Sequence, residues 1–231
     1  MTICRTFLYL IVPFFLSSQL HAEVTLKFGI SEGVTGVVEF ADGELTGSLS
    51  KPYDCVFDNA SVPVEFVSVP LKRGLYYLES GELDALIPLA RSPERDESLI
   101  FAGELIRADY SYVALKPIDD LLAQDDLRVA VVRGFVGGLF LPGGADQVEE
   151  VNSWRQLAPM LARDRVDVSV IPTMLIEQVM GEKTGDAYIK PAGVLEASLY
   201  ISPKHRGSEV TKRILNSVEQ CRSEPGSITS G

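Results

Sequence analysis

The 231-residue sequence is poor in metal-binding and nucleophilic side chains, with two histidines and three cysteines. His21 lies in the extreme amino-terminal stretch, so His205 is the one histidine beyond it, flanked by Lys204 and Arg206. That sets aside a histidine-based metal site and a Ser-His-Asp triad. No cysteines stand at zinc or iron–sulfur spacing, and the glycines from Gly134 to Gly144 do not form the G-x-x-x-x-G-K phosphate loop. No metal, no cofactor and no catalytic residue are therefore expected. Basic residues are also short, with Lys+Arg 21 against Asp+Glu 32 and a net charge of −11. No basic stripe faces a nucleic-acid backbone, so nucleic acid is not an expected partner. After Leu16 no apolar run reaches the ~20 residues that cross a bilayer.

What is present is ordinary globular composition: 46% hydrophobic residues, 19 Gly and 13 Pro. Residues 1–22 have their own pattern. Arg5 precedes the apolar run Phe7–Leu16, then Ser17, Ser18 and the stretch Leu20-His21-Ala22. A positive start, a short greasy centre and a small final residue make a secretory signal peptide, cleaved near Ala22 for a periplasmic location. An uncleaved anchor is the alternative. Cleavage removes one base and no acid, making the mature chain one unit more negative. It also removes Cys4, leaving Cys55 and Cys221, an even pair in an oxidising compartment and hence a disulfide candidate. Two separate buried thiols are the alternative.

The mature sequence alternates strand and helix signals. Val24–Ile30 reads as a strand, Ser50–Asn59 as a helix, Val64–Val69 as a strand and Leu71–Ser80 as a helix with Leu71, Leu75 and Leu78 on one stripe. Leu83–Ile87 follows as a strand. The unit recurs: strand Leu127–Val132, strand Val148–Val151, a helix capped by Ser153, and strand Val166–Ile171. GELDALIP (Gly81–Pro88) and DRVDVSVIP (Asp164–Pro172) enter their strands through Asp84 and Asp167, and each reading stops the strand at Ile-Pro. Two parallel α/β units are expected rather than one large sheet. Ala108–Leu115 and Leu195–Ile201 read as extended crossings between them, and Ser208–Gln220 as a last helix returning towards Cys55. The expected division is 23–113 for lobe one, 114–194 for lobe two, 195–224 for the return to lobe one, and 225–231 for a tail.

The ordered series DGELTG (Asp42–Gly47), VEFVSVP, LESGELDALIP, SPER (Ser92–Arg95) and FAGEL (Phe101–Leu105), then VVRG, Trp154 and RVDVSVIP, resembles extracellular solute-binding proteins of family 3. The resemblance covers nearly all of the mature chain. It implies an α/β, two-lobed type II periplasmic-binding-protein-like fold, each lobe a mostly parallel sheet flanked by helices, with two crossing strands and a ligand cleft between the lobes. It further implies a small-molecule ligand and an ABC permease as partners, with the protein a monomer. Strand carboxyl ends are where ligands sit in open α/β sheets. That points to Ser31, Glu32, Gly134, Phe135 and Thr173 as cleft residues.

The resemblance also implies that Arg95, in SPER, holds a ligand carboxylate, a task suited to the planar guanidinium fork. A loop salt bridge to Glu94 or Asp96 is the alternative for Arg95, and Arg91 is a second candidate. Some family features differ here. The acid that holds the ligand's ammonium falls on Pro172, the hydroxyl-bearing turn of lobe two reads Arg133-Gly134-Phe135-Val136, and the serine before the Arg motif falls on Ala90. These changes imply either a ligand other than a standard α-amino acid or a cleft without high-affinity capture. Two further readings stand beside transport. One is a sensor or interaction protein of the same fold serving a membrane receptor; the other is a cleft enzyme on small carboxylates, with Glu32 as acid or base.

Overall fold

A computed structural model of the chain describes residues 25–34, 36–124, 126–141 and 147–222. The expected signal peptide at 1–22 and the tail at 225–231 lie outside the described residues. The first unit is β1 (Leu26–Ser31), a small hairpin β2 (Glu39–Ala41) and β3 (Glu44–Thr46), α1 (Ser50–Ala60), β4 (Val64–Val69), α2 (Leu71–Ser80) and β5 (Ala85–Ala90). Then α3 (Pro93–Ser98) and β6 (Ile100–Phe101) lead into the long strand β7 (Ile106–Ala114). The second unit is α4 (Ile118–Leu122), β8 (Arg128–Val132), β9 (Gln147–Val151), α5 (Leu157–Ala162), β10 (Val168–Pro172) and α6 (Ile176–Met180). The chain returns through β11 (Tyr188–Ile201) and closes with α7 (Glu209–Cys221).

The two units share one topology. In the first, β1 pairs in parallel with β4 and β5 on either side; in the second, β8 pairs in parallel with β9 and β10. In each, an antiparallel crossing strand then joins the third member, β11 against β5 and β7 against β10. The crossing strands pair with one another from Tyr188↔Ala114 to Ala197↔Ile106. Hydrogen bonding is therefore continuous in a single ladder of order β4-β1-β5-β11-β7-β10-β8-β9, which corrects the expectation of two separate sheets. The lobes still attach at opposite ends of the β7–β11 ribbon, because β5 meets Ala197–Ile201 and β10 meets Tyr110–Val113.

Several strand limits shift by one or two residues, and two strands run well past the break read in the sequence, both for the same physical reason. β11 starts at Tyr188 rather than Leu195, and β5 runs through Pro88 to Ala90 rather than stopping at Ile-Pro. Proline lacks an N–H and usually ends a strand. Here the ladder shifts register between Pro191 and Gly193, and between Ser198 and Tyr200 opposite β5, so each strand continues past the interruption.

The elements bury their apolar faces as the patterns require. Leu26, Phe28 and Ile30 of β1 face α1 and α7, with Phe28 edge-on to Phe57 at 5.2 Å. Val69, Leu78, Leu83 and Leu86 pack α2 on the opposite face. Lobe two repeats this with Val129, Val131 and Val168 over α4. Asp84 and Asp167 perform one job twice. Each carboxylate accepts the N–H at the start of its lobe's first strand, Lys27 at 2.6 Å and Arg128 at 3.1 Å, and each returns its own N–H to the same residue's carbonyl at 2.8 Å. Finally, Cys55 of α1 and Cys221 of α7 are joined by a disulfide, Cα–Cα 5.8 Å. Among the described residues no helix is long and apolar enough to cross a membrane.

Candidate functional site

The carboxyl ends of β1, β5, β8 and β10 converge between the lobes on a small inner chamber of about 70 Å³. Lobe one contributes Ser31, Ala90 and Arg95; lobe two contributes Phe135, Trp154 and Pro172; and Tyr110 of the crossing strand lies between. The aromatic wall is contiguous. Phe135 stands edge-on to Trp154 at 4.8 Å, and Tyr110 packs on Phe135 at 5.6 Å and Phe140 at 5.0 Å. Arg95 is the one charged residue lining the chamber among the described residues.

Local sequence builds the Arg95 position. Ser92 caps α3, its hydroxyl accepting the Arg95 N–H at 3.3 Å, and Pro93 is preset for the first helical turn. Tyr200 locks the turn from the far side: its hydroxyl accepts the Ser92 N–H at 3.2 Å and donates to Asp96 Oδ1 at 2.7 Å. Arg95 is thereby driven inward, only 7% exposed. Its Nη1 donates to the Ala90 carbonyl of its own lobe, and its Nη2 crosses to the Gly134 carbonyl of lobe two at 2.8 Å. It forms no ion pair among the described residues. Burial pushes its pKa down, partly countered by Tyr200, Tyr110 and Glu94 nearby. Burial likewise pushes the Tyr110 phenol well up, against the pull of Arg95. A buried cation resting on two neutral carbonyls is a strained electrostatic arrangement, and a carboxylate is the group that would relieve it.

The lobes also meet around the chamber. Gly33, at φ +83°, lies so close to Trp154 that a Cβ there would fall 2.8 Å from the indole Cδ1. Gly134, at φ +81°, lies against α2, where a Cβ would meet Leu75 at 3.3 Å and the Lys72 Cα at 3.4 Å. Gln178 Nε2 donates to the Gly33 carbonyl at 3.4 Å. The structure is a closed form.

Of the residues proposed from sequence, Ser31, Arg95 and Phe135 come together in the chamber wall, and Gly134 holds the Arg95 guanidinium. Glu32 is exposed and lines an outer cleft instead. Thr173 is exposed, with its hydroxyl 2.9 Å from that of Ser111. Arg91 faces outward, paired with Asp96 at 2.8 Å and Glu196 at 3.2 Å, and its guanidinium lies over the Phe101 ring. The surface ion pair considered for Arg95 is thus the one Arg91 makes. The sequence reading does not single out Tyr110 and Trp154 as chamber residues. Trp154 carried a local signal: the Ser153–Gln156 capping box fixes it at the first position of a helical turn.

No family model matches this chain, and no curated protein matches it in sequence. Solved structures do match. A histidine kinase sensor domain with similarity to periplasmic binding proteins superposes with TM-score 0.71 at 15% identity, over 86% of this chain and 90% of that one. The arginine-, lysine-, histidine-binding protein ArtJ from Geobacillus stearothermophilus gives 0.71 at 14%, over 85% and 89%. This is the type II periplasmic-binding fold. It is the two-lobed fold that the family 3 resemblance implies. A third match is an ancestral amino-acid-binding protein described as a precursor of cyclohexadienyl dehydratase, with TM-score 0.64 at 18% identity, over 85% and 88%. One fold thus serves a sensor, a receptor and the forerunner of an enzyme, so function has to be argued from the site.

Proposed function

We propose that this chain is an exported, monomeric ligand-binding protein that closes its two lobes on a small carboxylate with an apolar body and delivers it to an ABC importer. The observation that carries the proposal is Arg95: a buried guanidinium, alone in charge among apolar and aromatic chamber walls, spanning both lobes through neutral carbonyls. A carboxylate arriving there exchanges those carbonyl contacts for a bidentate ion pair, adding an opposite charge to hydrogen bonds that the guanidinium already strengthens. The chamber wall has no acid among the described residues to hold an ammonium, which favours a monocarboxylate over a zwitterionic amino acid. Ligand pockets are typically ~300–1,000 Å³, so the closed chamber has to open for capture, with hinging along the β7–β11 ribbon. The proposal gives the cleft no catalytic step.

A second reading has one observation in its favour. Arg95 already reaches Gly134 in this closed form, so closure has its own protein-made contact, as suits a sensor domain that signals by changing between closed states. Thermal unfolding against a panel of aromatic and branched monocarboxylates, their α-amino counterparts and dicarboxylates tests both readings. A ligand stabilises the fold by RT ln(1 + [L]/Kd), about 2.7 kcal/mol at a hundredfold excess over Kd. The proposal expects monocarboxylates to raise Tm and Arg95→Lys and Arg95→Ala to abolish the rise. An undiminished rise in both variants removes Arg95 from the site. Silence across the panel favours the sensor reading, and turnover of any member by mass spectrometry reinstates the enzyme.

A further inference from the structure

A cleft far larger than the chamber adjoins it. This outer cleft, about 1050 Å³, lies between α2 and the β8–β9 side of lobe two. In a protein of net charge −11, its wall carries Lys72, Arg73, Arg133 and Arg155 against the single acid Glu32. Lys72 and Arg73 belong to lobe one, and Arg133 and Arg155 to lobe two. Arg133 is paired with Glu150 at 3.0 Å, while Lys72, Arg73 and Arg155 form no ion pair among the described residues.

The placement runs against local physics. Lys72 and Arg73 occupy the first turn of α2, where the helix dipole favours anions, and no acid or side-chain cap accompanies them there. The lobes also bring cations of like sign to one cleft, which opposes the closure that Arg95 and the Gly33–Trp154 contact produce. Both costs become gains if an anion with two or more charges lies between the lobes. Arg forks suit phosphate and carboxylate oxygens alike, and Lys adds a point charge.

We propose that the outer cleft is a second binding site, for a small anion of two or more charges. It bridges Lys72 and Arg73 of lobe one to Arg133 and Arg155 of lobe two and holds the lobes closed. It adjoins the chamber, sharing Leu71 and Trp154 of its wall, but uses a different set of charged side chains.

Isothermal titration of the mature protein with pyrophosphate and with citrate, using acetate as the monovalent control, tests this. At least one multivalent probe is expected to bind, with Kd rising tenfold or more between 20 mM and 500 mM NaCl as the exposed charges are screened. Lys72→Gln/Arg155→Gln is expected to weaken binding at least tenfold, while the same loss of charge on α7, Lys212→Gln/Arg213→Gln, leaves it unchanged, and small-angle scattering is expected to show a smaller radius of gyration with the probe. The substituted side chains are exposed, and Arg73→Gln/Arg133→Gln provides a second pair should the first lower expression. A preference for pyrophosphate or for citrate separates phosphate esters from oligocarboxylates as the source. No binding of either probe, equal binding of acetate, an unchanged Kd in both double variants of the cleft, or an equal loss in Lys212→Gln/Arg213→Gln would each overturn the proposal.

Discussion

Cys55 and Cys221 lie 166 residues apart, so their bond encloses most of the described chain. In the chain-entropy account, opening a loop of that length releases about 5 kcal/mol of unfolded-state entropy at 25 °C. The native side loses little, because α1 and α7 remain packed through buried Val56, Ile214 and Val218, and Arg213 still reaches the Ser61 carbonyl at 3.3 Å. A domain of ordinary stability has about 5–15 kcal/mol in total, so the bond would account for a third or more of it. For a chain of this size each kcal/mol moves Tm by roughly 2–4 °C, so Cys55→Ser/Cys221→Ser should melt about 10–20 °C below the oxidised parent. Urea unfolding of parent, variant and reductant-treated parent reads the same quantity, with the last two agreeing. A shift under 3 °C, or two free thiols in the denatured parent by Ellman titration, would refute the reasoning.

Two other perturbations follow from the geometry. Burial pushes the Asp84 carboxyl up, but hydrogen bonds from Lys204, the Lys27 N–H and His205 outweigh it and hold it below the usual range; for Asp167 the Arg128 bond is the largest effect and acts in the same direction. A depressed folded pKa gives stability that is present above the unfolded value of about 4 and lost as pH falls through the folded value. Asp84→Asn should therefore cost about 1–3 kcal/mol at pH 7, with the gap narrowing as acid protonates the parent's carboxyl, whereas a gap independent of pH would count against it. Gly33→Ala places a Cβ 2.8 Å from the Trp154 indole at a backbone angle that costs an L-residue about 1–2 kcal/mol, so Tm should fall and the radius of gyration should grow. An unchanged radius would show that Gly33 is not a closure contact.

Much of the fold is legible wherever a segment carries its own punctuation. β4 and α2 are bounded as the sequence reads them, since Pro70 and Gly81 bracket a stripe of Leu71, Leu75 and Leu78. β11 is harder to read because Pro191 and Gly193 look like a break, and only the partner strand β7 shows that the ladder shifts register and continues. The continuous sheet is hidden for a related reason: strand pairing between β7 and β11 is non-local and leaves no mark in either segment alone. Arg95 is legible only through the family 3 resemblance of Ser-Pro-Glu-Arg, and the structure adds that Ser92 caps α3 and Arg95 is buried. Tyr110 and Trp154 are not, because each looks like an ordinary core aromatic until the lobes bring them to one chamber. Lys72 and Arg73 carry no signal of their own in the sequence of α2, and it takes the cations of the opposite lobe to make them noteworthy.

The two units agree at one end of their strands and diverge at the other. At the amino ends, Asp84 and Asp167 make the same paired exchange with Lys27 and Arg128, a device that fixes strand spacing and has nothing to do with a ligand. At the carboxyl ends the units share the Ile-Pro prolines Pro88 and Pro172 but differ elsewhere: lobe one presents Ser31, Ala90 and Arg95, lobe two presents Gly134 and Phe135. A symmetric pair of ends would bind a symmetric ligand or none. Here one lobe supplies the charge and the other supplies a carbonyl and an aromatic wall, which is why the proposed occupant is charged at one end and apolar at the other. Exchanging the halves of that arrangement, as in Arg95→Phe with Phe135→Arg, would keep composition and still remove the site. The guanidinium would then leave the Ser92–Tyr200 turn that aims it, and that aim, rather than the presence of an arginine, is what the chamber depends on.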